Sequence, residues 1–104
     1  MVSTRIKNKI KRLHKVLCEK YRIDGVYLFG SHARGKALPQ SDIDVCVVSK
    51  DFKGETLQTE LDIKHMARSI EPLFDVLLTT PHDFKHNLVS PILDQIRRKG
   101  LRVV

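Results

Sequence analysis

The chain has 104 residues, 41% of them hydrophobic and 30% charged, and its 19 Lys and Arg outnumber 12 Asp and Glu to give a formal net charge of +7. That length and composition predict one soluble globular domain, residues 1–104, with a modest core. No apolar run approaches the roughly 20 residues of a membrane span, and no apolar stretch follows the basic N-terminus as in a secretory leader, so neither a membrane nor an exported role is expected.

An amphipathic helix is predicted over residues 4–21. Ile6, Ile10, Leu13 and Leu17 recur at helical spacing, with Val16 and Tyr21 beside them, and Ser3 or Thr4 can cap its start. Residues 1–22 hold Arg5, Lys7, Lys9, Lys11, Arg12, Lys15, Lys20 and Arg22 against Glu19 alone, a surplus equal to the whole net charge. The apolar stripe should pack on a sheet. The basic side is either a solvated face or a steering surface for nucleotide, RNA or an acidic partner. Cys18 on this helix and Cys46 further on lack zinc-site spacing and read as reduced, packed thiols, which predicts a reducing, cytoplasmic setting.

Asp24-Gly25 predicts a turn into a first strand, Val26–Phe29, which Gly30 ends. Ser31 is expected as the N-cap of a short helix through His32, Ala33 and Arg34. Backbone N–H groups and the helix dipole at such a start favour an anion, and Gly30 leaves room for a phosphate to approach. The Ser31 hydroxyl can donate to a phosphate oxygen, and Arg34 or Lys36 can add charge-assisted bonds. An ordinary strand–turn–helix junction fits the same residues, and the spacing of a Walker A loop is absent. His32 either touches phosphate or is exposed.

After a loop from Gly35 to Ser41, residues 43–48 are β-branched and apolar and predict a second strand. Alternation puts Asp42 and Asp44 on one face and Ile43, Val45 and Val47 on the other. Two such carboxylates can converge on one Mg²⁺ or bracket two ions; a solvated strand entrance is the plainer alternative. Asp51 to Gly54 is a turn. Glu55 to Ile70 predicts a helix with Ile63, Met66, Ala67 and Ile70 on one face and Leu57 and Leu61 adjoining it, ended by Glu71-Pro72.

Phe74 to Thr79 predicts a third strand. Asp75 inside this apolar run is expensive to bury unpaired, and it stands either with the other two aspartates or on an edge facing water. Thr80 and Pro81 open a short helix over residues 82–87, and Ser90-Pro91 start another through Ile92, Leu93, Ile96 and Arg98 that Gly100 stops. Leu101 to Val104 is an edge strand or a frayed tail. His82 and His86 lie four apart on a helix but lack the Glu of a metalloprotease pattern, and they read as surface residues.

Gly30-Ser31, ten intervening residues, then Asp42-Ile43-Asp44 resembles the signature of the DNA polymerase β-like nucleotidyltransferase superfamily. The longer text, Phe29-Gly30-Ser31-His32-Ala33-Arg34-Gly35 and then Ser41-Asp42-Ile43-Asp44-Val45, is similar to its minimal, single-domain MNT branch. The expected fold is α/β: a small mixed sheet of three to four strands flanked by helices, polymerase β palm-like, with helices mainly on one side and the site at the ends of the first two strands.

The resemblance implies that Asp42 and Asp44 bind Mg²⁺ ions holding ATP, that Gly30 and Ser31 hold its β- and γ-phosphates with Arg34 nearby, and that Asp75 completes a second metal site. An acceptor hydroxyl would take AMP and release pyrophosphate. Larger relatives add a helical acceptor-binding domain. A chain of this length has no room for one, so the acceptor is expected from another molecule.

Minimal members are commonly paired with a helical HEPN-type partner in toxin–antitoxin systems, where the nucleotidyltransferase can act as antitoxin by adding AMP to the toxin. A toxin-binding module without catalysis, an RNA-binding or RNA-modifying protein and a small-molecule nucleotidyltransferase are the alternatives. A homo-oligomer stays open.

Overall fold

Strand alternation decides the architecture. In the computed structural model, which describes residues 2–104, Ile43, Val45 and Val47 are wholly buried on one face of a strand whose other face buries Cys46 and Val48. A strand apolar on both faces needs cover on both. The elements run α1 (Thr4–Leu17), β1 (Ile23–Phe29), α2 (Gly30–Ala33), β2 (Ile43–Ser49), a 3₁₀ turn (Lys50–Phe52), α3 (Leu57–Ile70), β3 (Phe74–Thr79), α4 (Pro81–His86), α5 (Pro91–Lys99) and β4 (Leu101–Arg102).

The four strands form one mixed sheet in the order β3-β2-β1-β4. β1 is antiparallel to both neighbours, whereas β2 and β3 are parallel and joined through α3. α1 and α3 cover one face with Ile6, Ile10, Leu13, Leu17, Ile63 and Ala67 against Val26, Leu28, Val45, Val47, Phe74 and Val76. Leu93 and Ile96 of α5 cover Cys46 and Val48 on the other face, with Tyr27, Phe29, Leu77 and Phe84 of α4 around them. The two long helices thus share one side, as expected, and the short C-terminal pair closes the second.

Several local expectations change. The first helix ends at Leu17 rather than Tyr21. Glu19 N–H and Lys20 N–H donate three residues back, to Val16 and Leu17 oxygens, and this tightened turn brings Tyr21 edge-on to Phe52 at 5.5 Å. Asp24 and Gly25 lie within β1 rather than in a turn before it, at a register shift between Ile23 and Gly25. Tertiary partners hold them there: the Asp24 carboxylate accepts from Lys50 N–H and its carbonyl accepts from Arg102 Nη2 at 2.8 Å. Leu57 and Leu61 are exposed rather than joined to the core. The C-terminus is an edge strand, extended by Val103 N–H donating to Val26 O and Val26 N–H donating to Val104 O.

One buried acid fastens this scaffold. Glu71 caps the end of α3 and is only 6% exposed. It pairs with Lys9 of α1, lies 3.9 Å from Arg5, and accepts from Leu73 N–H at 2.8 Å. Those partners, the Lys9 hydrogen bond first and the Leu73 backbone bond second, hold its carboxyl below the ordinary value of 4.5 against the opposing effect of burial. α1 is thereby tied to the corner from which β3 emerges.

A depressed carboxyl pKa contributes stability that is full above the unfolded value and is lost as pH falls through the folded one. Glu71→Gln is therefore expected to lower unfolding free energy by about 1–3 kcal/mol near neutral pH. In urea titrations its deficit relative to the parent should shrink below about pH 4.5.

Candidate active site

The carboxylates are placed by sheet register. β1 ends at Phe29, whose cross-strand partner is Asp44, and Asp44 pairs on its other side with Asp75 across the parallel β2–β3 ladder. Neighbouring strands lie about 4.8 Å apart, so Asp44 and Asp75 stand side by side on one face. Asp42 immediately precedes β2 and is exposed, as is Asp75, while Asp44 is half-buried. The loop from residue 35 delivers Asp42 through a closed turn in which Ser41 N–H donates to Leu38 O and Leu38 N–H donates to Ser41 Oγ.

Gly30 forms the wall next to Asp44. Its φ of +73° favours glycine. A Cβ built on Gly30 would collide with Asp44 Oδ2 and lie 3.1 Å from its Cγ. Two reasons therefore require glycine here, and the second ties the turn directly to the central carboxylate. α2 starts at Gly30 with Phe29 as N-cap and no side-chain cap. Ser31 is thus inside the first turn rather than capping it, and the cap position falls on Phe29, which has no side-chain oxygen to accept a bond. Arg34 is its exposed C-cap, and His32 Nε2 lies 3.4 Å from Ser41 O.

Electrostatics single out Asp44. Partial burial raises its pKa most, and Asp75 and Asp42 raise it further, while His32 and Arg34 oppose them. Oxygen donors of this kind suit Mg²⁺, and the backbone left bare at Gly30 suits a phosphate against the same carboxylate. The donor set therefore fits a divalent ion with a phosphorylated substrate. Among the described residues, no group of three or more His, Cys, Asp and Glu side chains is gathered as a ready metal cluster. The acids share one corner and repel one another there.

Sequence reasoning missed the Gly30–Asp44 contact and the Glu71–Lys9 pair. The first depends on strand register, and the second joins residues 62 apart in the chain. His82 and His86 do face each other, with ring centroids 4.9 Å apart, but on exposed α4. A cavity of about 610 Å³ includes Lys50, Phe52, Thr80 and His82 at the opposite end of β2 and β3, and it shares no residue with the carboxylate corner.

Residues 10–99 match the family described as the nucleotidyltransferase domain. The chain is 31% identical over 84 residues to a Methanocaldococcus jannaschii protein named "putative protein adenylyltransferase", covering 81% of this chain and 82% of that protein. A second protein of that organism with the same description is 43% identical over 42 residues, 40% of this chain and 42% of that protein. A solved structure described as a "putative nucleotidyltransferase" from Sulfolobus solfataricus superposes with a TM-score of 0.67 at 21% identity, over 94% of this chain and 78% of that one. A toxin–antitoxin crystal structure with AMP-PNP gives a TM-score of 0.65 at 23% identity, over 94% and 72% of the two chains. At such identities the two structures speak to the fold.

Gly30→Ala should cost about 1–2 kcal/mol from backbone strain alone. It should cost more through the collision with Asp44. In a double-mutant cycle read by urea unfolding, Asp44→Ala is expected to recover part of the Gly30→Ala loss, because it removes the atoms the new methyl meets.

Proposed function

This chain belongs to the nucleotidyltransferase domain family, and from that premise we propose that it transfers AMP from ATP, with Mg²⁺, onto a hydroxyl of a partner protein, with residues 1–104 as the catalytic domain. The observation that carries this reading is the crowding of Asp44 by Asp75 and Asp42 beside the Cβ-free wall of Gly30. An acidic corner of that kind has no packing purpose, and a cation with a triphosphate would neutralise and fill it.

Asp42, Asp44 and Asp75 would hold the Mg²⁺, which when bound supplies charge neutralisation of the triphosphate and of the departing pyrophosphate. Gly30 and Ser31 hold the β- and γ-phosphates, Gly30 by close backbone approach and Ser31 by hydroxyl and N–H donation. Arg34, exposed at the end of α2, adds a charge-assisted bond to the phosphate tail. Asp75, open to solvent, accepts the proton of the acceptor hydroxyl. The acceptor oxygen bonds to the α-phosphorus, the bond from that phosphorus to the bridging oxygen breaks, and pyrophosphate leaves. Positioning and electrostatics carry the rate, and no covalent enzyme intermediate forms.

The acceptor is supplied by another molecule. The toxin–antitoxin structure with a similar fold supports a toxin as that molecule and an antitoxin role for this chain, and the sequence resemblance implies that this toxin is a helical, HEPN-type protein. Free thiols at Cys18 and Cys46 favour a cytoplasmic setting, and no helix among the described residues is long and apolar enough to cross a membrane. Burial pushes the Cys46 thiol up to about 12, which keeps it protonated and inert.

Incubation with ATP labelled at the α-phosphate, Mg²⁺ and the candidate partner tests the proposal. Label should appear on the partner with the parent protein and fall by at least about 100-fold with Asp44→Asn. Label that stays off the partner, or transfer that survives in Asp44→Asn, overturns it. Full toxin neutralisation by the Asp42→Asn/Asp44→Asn double variant would instead mark a binding module.

A further inference from the structure

α4 is fastened at both ends and from beneath. A helix of six residues, Pro81–His86, is too short to persist alone. Thr80 caps its start by accepting from Asp83 N–H at 3.2 Å, and Pro81 presets its first turn. At the other end the Arg97 guanidinium of α5 donates to Phe84 O at 2.7 Å and to Asn87 O at 2.8 Å. The Phe84 ring stacks on Tyr27 of β1 with centroids 4.7 Å apart. These contacts fix the single turn that presents His82 and His86, four residues apart, on one helix face.

Both imidazoles are exposed, and neither has a hydrogen-bond or ion-pair partner among the described residues. Their ring centroids lie 4.9 Å apart at an interplanar angle of 46°, neither a parallel stack nor a T-shaped pair. A divalent ion held at about 2.05 Å by one nitrogen of each ring sits about 3.2 Å from each ring centre, which puts the two centres about 4.5 Å apart for a right angle at the metal and about 5.2 Å apart for a tetrahedral one. The observed separation falls between those limits.

We propose that His82 and His86 chelate a late first-row divalent ion such as Zn²⁺, at a site separate from the carboxylate corner. Donor chemistry selects the ion, because imidazole nitrogen suits Zn²⁺, Ni²⁺ or Cu²⁺ whereas Mg²⁺ takes oxygen ligands. No third His, Cys, Asp or Glu joins the pair among the described residues, so the remaining coordination positions are left to water. His82 also lines the cavity at the far end of β2 and β3, where Lys50 and Lys53 oppose a cation and Asp83 offsets them. Two protein donors in that setting predict micromolar rather than nanomolar affinity. The ion spans one turn of α4, so its binding adds to the stability of the folded chain.

Titration of the full chain with Zn²⁺ in excess Mg²⁺ tests this, read by the side-chain nitrogen resonances of its five histidines. His82 and His86 should shift first, and Tm should rise with Zn²⁺ concentration. His82→Gln and His86→Gln should each weaken binding at least about tenfold. Both should leave the zinc-free Tm nearly unchanged, because the two side chains are exposed and unpaired. Should a variant fold poorly, the resonance shifts of the parent decide. Cys18 with His14, whose Sγ and Nε2 lie 3.4 Å apart, is the rival donor pair. First shifts at His14 that vanish in Cys18→Ser overturn the assignment. So does binding that is abolished by Asp42→Asn/Asp44→Asn, that survives in His82→Gln/His86→Gln, or that needs millimolar Zn²⁺. The readout uses no ATP, so failure of the transferase reading leaves it intact.

Discussion

Everything at the site follows from one crowded carboxylate. Asp44 is half-buried, has Asp75 as its register partner, Asp42 two residues before it, and the backbone of Gly30 pressed against its oxygens. Its burial and the two neighbouring carboxylates oppose an ionised, uncompensated Asp44. His32 and Arg34 offset part of that, and both sit on the turn that Gly30 starts. The glycine therefore shapes the wall beside the carboxylate and also admits the segment whose cations temper the acid. Under the proposed function a divalent ion would complete the balance, so that charge, rather than shape alone, organises this corner.

The rest of the fold keeps two strand junctions in place against that repulsion. Asp44 and Asp75 adjoin only because β2 and β3 are parallel, and they are parallel because α3 carries the chain back across the sheet. The start of β3 is held by Glu71, which bonds Leu73 N–H and pairs with Lys9 of α1. Ile43 N–H in turn donates to Leu73 O at 2.8 Å, linking that fastening to the residue between Asp42 and Asp44. A buried acid far from the chemistry thus helps to set the register on which the chemistry depends.

Much of this was legible in the chain. Period-2 alternation put Asp42 and Asp44 opposite Ile43, Val45 and Val47, and the apolar run around Asp75 gave β3 its full extent from Phe74 to Thr79. Capping residues located three helices: Ser3 at α1, Thr80 at α4 and Ser90 at α5 each accept an N–H three residues on. What escaped was set by partners distant in sequence. Asp24-Gly25 reads as a turn until Lys50 and Arg102 arrive to hold it extended. Ser31 reads as an N-cap, yet α2 already starts at Gly30 and its cap position falls on Phe29. Leu57 and Leu61 continue a helical pattern whose buried arc is narrower than the pattern suggests.

The charge distribution separates two needs that net charge conflates. The acidic corner lies at one end of the sheet, whereas most of the positive surplus sits on α1, on the face of the sheet opposite Asp44 and Asp75. A basic surface that served only to draw nucleotide triphosphate would gain most by ringing the carboxylates, because screening limits exposed charges to about 8 Å at physiological salt. Arg34 and His32 already fill that position. The like charges on α1 are tolerated in the fold because the buried stripe beneath them and the Glu71 anchor hold α1 down.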